Sequence, residues 1–411
     1  MALDPVGIRP LGIGPVDTGP VDTGPLDTGP VDTGPVDIDA YRRRLADDMA
    51  ARGCWPEDSP WVRSAVEALP RHRFAPGRVW VWDGEEYLPV DRAADPRGWA
   101  GAVYPGSYDS TVIQVTDGLP TSSLSCVSVV ADMLDSLMPE PGHRVLELGT
   151  GAGWNAALLG LRAGAGRVAS VEFDAGLADA ARERIRSAGA EVSVRVGDGS
   201  LGLRDGAPYD RVIATYAVEE VPWAWVAQTR PGGRIVTPWG RLGHVALTVA
   251  DDGRSASGWM QGLGMFMPSR YAAGPGPGFH EIRDAVPPET ESPFSRAPSA
   301  LTDGNALFAL RVLLPDVRII TESGGDGVRA LLHDGRSSWA TLSARHGGTA
   351  GRPTVARQGG PRRLADEVAR AWRRWESAGA PPLHDFGMTR TPDEQYVWSG
   401  DRETGPRWAP G

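Results

Sequence analysis

The stretch Val145 to Ala157, "VLELGTGAGWNAA", decides the fold. An apolar run meets an acid, three glycines alternate, and helix-forming residues follow. The apolar run reads as a buried strand and the tail as a helix, joined by a turn whose glycines let backbone approach a ligand. A phosphate-binding loop needs Gly-x4-Gly-Lys-Ser/Thr, and this chain has no lysine. A dinucleotide fingerprint needs glycine at its third position for close helix–strand packing, where Trp154 stands. Both readings are disfavoured, hydride transfer with them.

Outward from the loop, strands and helices alternate. His143–Leu148, Arg167–Phe173, Glu191–Val196 and Tyr209–Tyr216 read as strands, as do Gly233–Trp239 and His244–Ala250. Helical patterns lie between them, two closed by glycine. This alternation predicts an α/β fold, a doubly wound, mostly parallel sheet covered on both faces. Ligands in such sheets bind at the carboxyl ends of the strands.

The pattern acid-x-Gly-x-Gly-x-Gly, Glu147 with Gly149, Gly151 and Gly153, resembles class I methyltransferases, with their Rossmann-like sheet. The resemblance implies S-adenosyl-L-methionine as cofactor. It implies an acid for the ribose hydroxyls at the end of the second strand, where Glu172 stands. It implies an acidic turn on the adenine side after the third strand, where Asp198 and Gly199 stand. "PGG" at Pro231–Gly233 fits the turn before the fifth strand. A fold that keeps the pattern but has lost binding is the alternative.

"PRHRFAP" (Pro70–Pro76), "TSSLSCVSVVADML" (Thr121–Leu134), the glycine loop, "VGDGSLGLRDGAPYDRVIAT" and "PGGRIVTPWG" together resemble protein-L-isoaspartate O-methyltransferases over residues 60–250. That family methylates a carboxylate in a peptide chain. The resemblance implies that Glu147, Gly149, Thr150 and Gly151 line the methionine and ribose end. It also implies a serine beside the reacting carboxylate. Ser125 is the preferred register and Ser123 the alternative. The proline of that motif is replaced by Val127 or Ser125, depending on register, and Tyr216, Glu219 and Glu220 replace small residues and proline. These departures bear on the acceptor, not the cofactor. A carboxylate with pKa near about 4 is ionised at neutral pH and needs no general base.

Residues 1–39 contain a GPVDT repeat, Gly14 to Asp39, whose period of five with Gly-Pro in each unit suits neither helix nor strand. It reads as a disordered acidic tail. Residues 40–273 read as the methyltransferase domain with an N-terminal elaboration. Pro- and Gly-rich 274–300 reads as a linker, and 301–411 as a smaller C-terminal α+β domain. The ending "HDFGMTRTPDEQYVW" (His384–Trp398) resembles long bacterial homologues found with ribosomally made, modified peptides such as lanthipeptides and graspetides. That resemblance implies a modified precursor peptide as partner, gripped by 301–411, and methylation of an aspartate leading to succinimide or isoaspartate. General repair of isoaspartate in damaged proteins is the second reading. A non-catalytic cofactor-binding scaffold is the third.

The chain's 411 residues carry a net charge of -10, which argues against a nucleic-acid partner. No apolar run is long enough to span a membrane, and no signal peptide stands at the N-terminus. Two cysteines, Cys54 and Cys126, make neither a disulfide framework nor a zinc site. The expectation is a cytoplasmic enzyme without metal. His72, Trp223, Trp225, Trp372 and Trp375 read as packing residues.

Overall fold

The computed structural model describes residues 36–240, 243–269, 276–324, 327–344 and 354–408. The repeat falls outside these residues up to 35. The first helix, Ile38–Ala51, starts at an Asp37 cap whose side chain accepts from the Asp39 and Ala40 backbone. Leu45 and Met49 of this helix are buried, as their spacing predicts.

A 10-stranded sheet carries the glycine loop. Val145–Leu148 pairs in parallel with Val168–Glu172 on one side and Tyr209–Ala214 on the other, so it sits where the winding reverses direction. Val192–Val196 and Thr229–Trp239 extend the parallel part on its two sides. Gly243–Val249 and Ala256–Gly262 then add antiparallel strands beyond Trp239. A four-stranded antiparallel sheet precedes the glycine loop in sequence, and Leu119–Leu124 is one of its edge strands.

Alternate residues of the central strands serve two different cores, which is why these strands are apolar throughout. Val145, Ile213, Val236 and Ala246 join helices Val127–Leu137, Trp154–Ala163 and Ala175–Ser187 and the N-terminal elaboration. Leu146, Val212, Ile235 and Val245 face the other way, onto Trp225, Phe308, Leu364 and Trp372. The short helix Trp223–Ala227 cannot cover that second face alone. Helices Gly304–Leu313 and Leu364–Ser377 of the C-terminal segment complete it.

Two boundaries read from sequence are corrected by this arrangement. The stretch 274–300 is not a plain linker. It carries helix Phe279–Ala285 and strand Thr290–Phe294, which pairs with Thr354–Gly359 at the edge of a five-stranded antiparallel sheet. Its prolines disguised it, and Pro293 is tolerated because the strand is an edge. Nor does 301–411 form one separate unit. Phe386–Arg390 pairs with Ala256–Trp259, and Gln395–Ser399 and Arg407–Trp408 follow, so this part rejoins the large sheet. Strands Arg318–Gly324, Gly327–His333, Trp339–Ala344 and Thr354–Gly359 form the rest of the five-stranded sheet. No helix among the described residues is long and apolar enough to cross a membrane.

Candidate active site

Gly149, Gly151 and Gly153 all have positive φ, at 94°, 53° and 89°. At Gly149 the need for glycine is also steric. A Cβ there would lie 2.4 Å from Thr215 Oγ1 and 2.9 Å from the Tyr216 ring. The Gly149 N–H donates to the Val171 carbonyl at 2.8 Å, tying the loop to the neighbouring strand. Trp154 is turned away from the cleft. It is buried, its Nε1–H donates to the Leu69 carbonyl at 2.9 Å, and it packs under the N-terminal elaboration.

The three acids occupy different depths. Glu172 accepts from the Gly151 N–H at 2.8 Å and the Asp174 N–H at 3.1 Å, so its carboxylate lies against the loop. Asp198 caps the turn after the third parallel strand, accepting from the Ser200 N–H at 2.8 Å. Gly199 beside it is buried, and its carbonyl accepts from Trp225 Nε1 at 2.8 Å. Glu147 lies beneath the loop instead of lining the cleft. It is 0% exposed, Asn155 and Ser170 donate to its two oxygens, and Ser170 bonds Thr150 Oγ1 at 2.6 Å. Its side chain therefore holds the Thr150 turn in shape. Burial outweighs these donors and pushes its carboxyl up to about 7.

The serine segment crosses the glycine loop. The site of a Gly151 Cβ lies 3.5 Å from Ser122 Oγ and 3.9 Å from the Ser123 carbonyl. Ser122 is therefore the hydroxyl of this strand nearest the Gly151 Cβ position, and the sequence motif does not single it out. Strand alternation puts Ser122 and Ser123 on opposite faces, and the packing decides which of the two meets Gly151. Ser125 stands in the turn before helix Val127–Leu137.

Arg71 holds that turn. It is buried, and no carboxylate among the described residues pairs with it. Its guanidinium donates to the carbonyls of Val103 (2.9 Å), Leu124 (2.8 Å) and Ser125, and to Thr111 Oγ1 at 3.1 Å. Burial lowers its pKa to about 10, which leaves it cationic at neutral pH. In "PRHRF" the eye falls on His72, whose Nδ1 only meets the Tyr104 hydroxyl, at 2.7 Å. The anchor is the arginine before it.

The opposite wall is the loop after strand Tyr209–Ala214. Thr215 Oγ1 donates to the Gly149 carbonyl at 2.6 Å, and a Cβ on Gly199 would lie 2.4 Å from the Tyr216 hydroxyl. Tyr216 thus stands between Gly149 and Gly199. Ala217 pairs with Pro268, and the Ala217 N–H donates to the Met267 carbonyl at 2.8 Å.

The model of the protein-L-isoaspartate(D-aspartate) O-methyltransferase family matches residues 98–263. A protein-L-isoaspartate O-methyltransferase of Methanothermobacter thermautotrophicus is 32% identical over 222 residues, 52% of this chain and 89% of the relative. The chain belongs to the protein-L-isoaspartate O-methyltransferase family. One from Halorhodospira halophila is 36% identical over 213 residues, 51% of this chain and 82% of that protein. A solved structure of a protein-L-isoaspartate O-methyltransferase, 19% identical, covers 88% of this chain and 100% of its own with a TM-score of 0.45. The family comprises S-adenosylmethionine-dependent protein carboxyl O-methyltransferases. The donor set suits that cofactor: the Glu172 carboxylate beside Gly151 keeps lone pairs for further donors such as ribose hydroxyls.

Proposed function

We propose that this protein methylates an aspartate side chain of a modified ribosomal peptide, with S-adenosyl-L-methionine as donor. The supporting observation is the acceptor side. The family resemblance implies small residues and proline where Tyr216, Glu219 and Glu220 stand, and the same loop is fastened by residues from beyond the matched segment. Repair of isoaspartate is the second reading, favoured by the shared name of the relatives.

When bound, S-adenosylmethionine supplies an electrophilic methyl group. The chain's own work is positioning. Gly149 to Gly153 give backbone contact, Glu172 accepts from the ribose hydroxyls, and Asp198 with Gly199 borders the adenine side. Ser125, with Ser123 as the alternative, donates a hydrogen bond to one oxygen of the acceptor carboxylate. That leaves the other oxygen free to attack. The acceptor arrives ionised, so no base is required. In the methyl ester the following backbone amide nitrogen attacks the side-chain carbonyl. The C–N bond forms, the bond to the methoxy oxygen breaks, and methanol carries away the amide proton. Water then opens the succinimide to aspartate or isoaspartate.

The test is mass spectrometry of enzyme with S-adenosylmethionine and two acceptors, a short linear isoaspartyl peptide and a modified precursor peptide, if one is encoded beside the gene. Methylation of the precursor alone, followed by loss of methanol, is the expected result. Methylation of the linear peptide establishes repair, and methylation of neither leaves the scaffold reading. For the roles, Glu172→Ala is expected to weaken cofactor binding by about 2 kcal/mol, the scale of hydrogen bonds to a charged acceptor. Unchanged affinity removes the ribose assignment. Turnover lost in Ser123→Ala but kept in Ser125→Ala reverses the register.

A further inference from the structure

The wall that carries Tyr216 is fastened from the C-terminal segment. Glu219 Oε2 pairs with Arg311 Nη2 at 2.6 Å. Arg311 lies on helix Gly304–Leu313, its guanidinium 4.1 Å from the Trp239 ring centre. Gly240, at φ 58°, makes room for it, because a Cβ there would fall 1.5 Å from Arg311 Nη2. The Glu219 carbonyl accepts from Trp239 Nε1 at 2.8 Å and from Gln395 Nε2 at 3.0 Å. Two residues on, the Val221 carbonyl accepts from Arg390 Nε at 2.7 Å, while Arg390 pairs with Glu220 at 2.7 Å.

The burial is lopsided. The side chains of Arg311 and Arg390 are 4% and 6% exposed, those of Glu219 and Glu220 66% and 65%. A buried guanidinium left unpaired is costly, so Arg311 holds the Glu219 carboxylate even though that carboxylate faces water, while Arg390 grips the loop chiefly at the Val221 carbonyl and also donates to the Thr391 and Glu394 carbonyls. The two arginines lie outside the matched segment 98–263, and the two glutamates inside it.

We propose that Arg311 and Arg390 are positioning residues for methyl transfer: by fixing Glu219 to Val221 they set where Tyr216 stands against the Gly149–Gly199 cleft. The C-terminal segment then shapes that wall of the cleft directly. The proposal rests on the carboxyl-methylation reading of the site for its kinetic consequence, but not for its structural one.

The test uses the full chain and the variants Arg311→Met, Arg311→Lys, Glu219→Gln and, as a surface control, Arg329→Met. Two readouts are taken at a temperature where circular dichroism shows every variant folded. These are hydrogen exchange of the amides of 216–221, and kcat at saturating S-adenosylmethionine with whichever acceptor the wild type methylates. Arg311→Met is expected to speed exchange in 216–221 at least 10-fold and to lower kcat at least 10-fold. Arg311→Lys should recover part of both. Glu219→Gln, altered only at an exposed side chain, should show the same direction with a smaller size, and the control should change neither. Exchange in 216–221 no faster than in the control overturns the proposal, as does faster exchange with unchanged kcat. If Arg311→Met does not fold, Glu219→Gln decides by the same criteria. If the wild type methylates no acceptor, the proposed function fails, and exchange alone decides whether the arginines fix the loop.

Discussion

Two walls face each other across the cleft, and they are held by different means. On the glycine side the bonds run between near neighbours or adjacent strands: Gly149 to Val171, Gly151 to Glu172, Asp198 to Ser200. On the other side they come from far along the chain. Arg71 reaches Ser125 from 54 residues away, Arg311 reaches Glu219 from 92, and Arg390 reaches Val221 from 169. The first wall is backbone shape that the parallel sheet produces wherever the loop sequence occurs. The second is a set of buried arginines acting on loops that have no regular structure of their own. The first wall thus depends on local backbone, the second on a few distant residues.

The comparison can be broken most directly at Gly149. Gly149→Ala combines a left-handed backbone with a side-chain overlap at Thr215 and Tyr216, and is expected to cost about 3 kcal/mol in cofactor affinity. Calorimetric titration with S-adenosylmethionine checks this, and normal affinity would show that the wall yields. Arg71→Met tests the other side. It strands buried carbonyls at Val103, Leu124 and Ser125 and is expected to lower stability by about 2 kcal/mol. Turnover should fall about 10-fold, while cofactor affinity stays within about threefold. A parallel loss of cofactor affinity would mean that the walls are not independent.

Glu147 sharpens the distinction through pH. Its folded pKa, pushed up to about 7, lies above the ordinary carboxyl value, so the folded state binds more protons than the unfolded one between about pH 4.5 and 7. Stability therefore falls as pH rises through that window. Glu147→Gln should flatten this decline in a series of thermal melts. Asp132, raised to about 7 by its own burial, should retain part of the slope. A slope unchanged in Glu147→Gln would place its carboxyl below that range. The smallest effect is expected at Arg357→Ala. Its pair with Glu291 is exposed on the five-stranded sheet, and its loss should change stability by less than about 0.5 kcal/mol by chemical denaturation.

What could be read from the sequence follows the same division. The glycine loop, the strand–helix alternation and the positions of Glu172 and Asp198 are local patterns, and the sheet sets them where such patterns predict. The depth of Glu147 was not readable, because which way a strand residue faces depends on what covers each side of the sheet. Ser122 was no more readable, since alternation separates it from Ser123 without saying which of them faces the loop. Arg71 and Arg311 carry no local signature, since a buried arginine is recognised only by the distant carbonyls and carboxylate it meets. The domain boundaries failed for the same reason. Nothing within Phe386–Arg390 announces that it pairs with Ala256–Trp259, and an edge strand with a proline reads as a loop.

The pairing of Phe386–Arg390 with Ala256–Trp259 also bears on the order of synthesis. Everything between these strands is, topologically, an insertion into the catalytic sheet. A ribosome must release the whole of that insertion before the sheet can add its next strand. Until then one face of the nascent sheet lacks helices Gly304–Leu313 and Leu364–Ser377, and Ile235, Val245 and Leu247 stay uncovered. Chaperone demand during translation should therefore be highest in this interval, and a fusion partner is better placed before Ile38 than between the two strands.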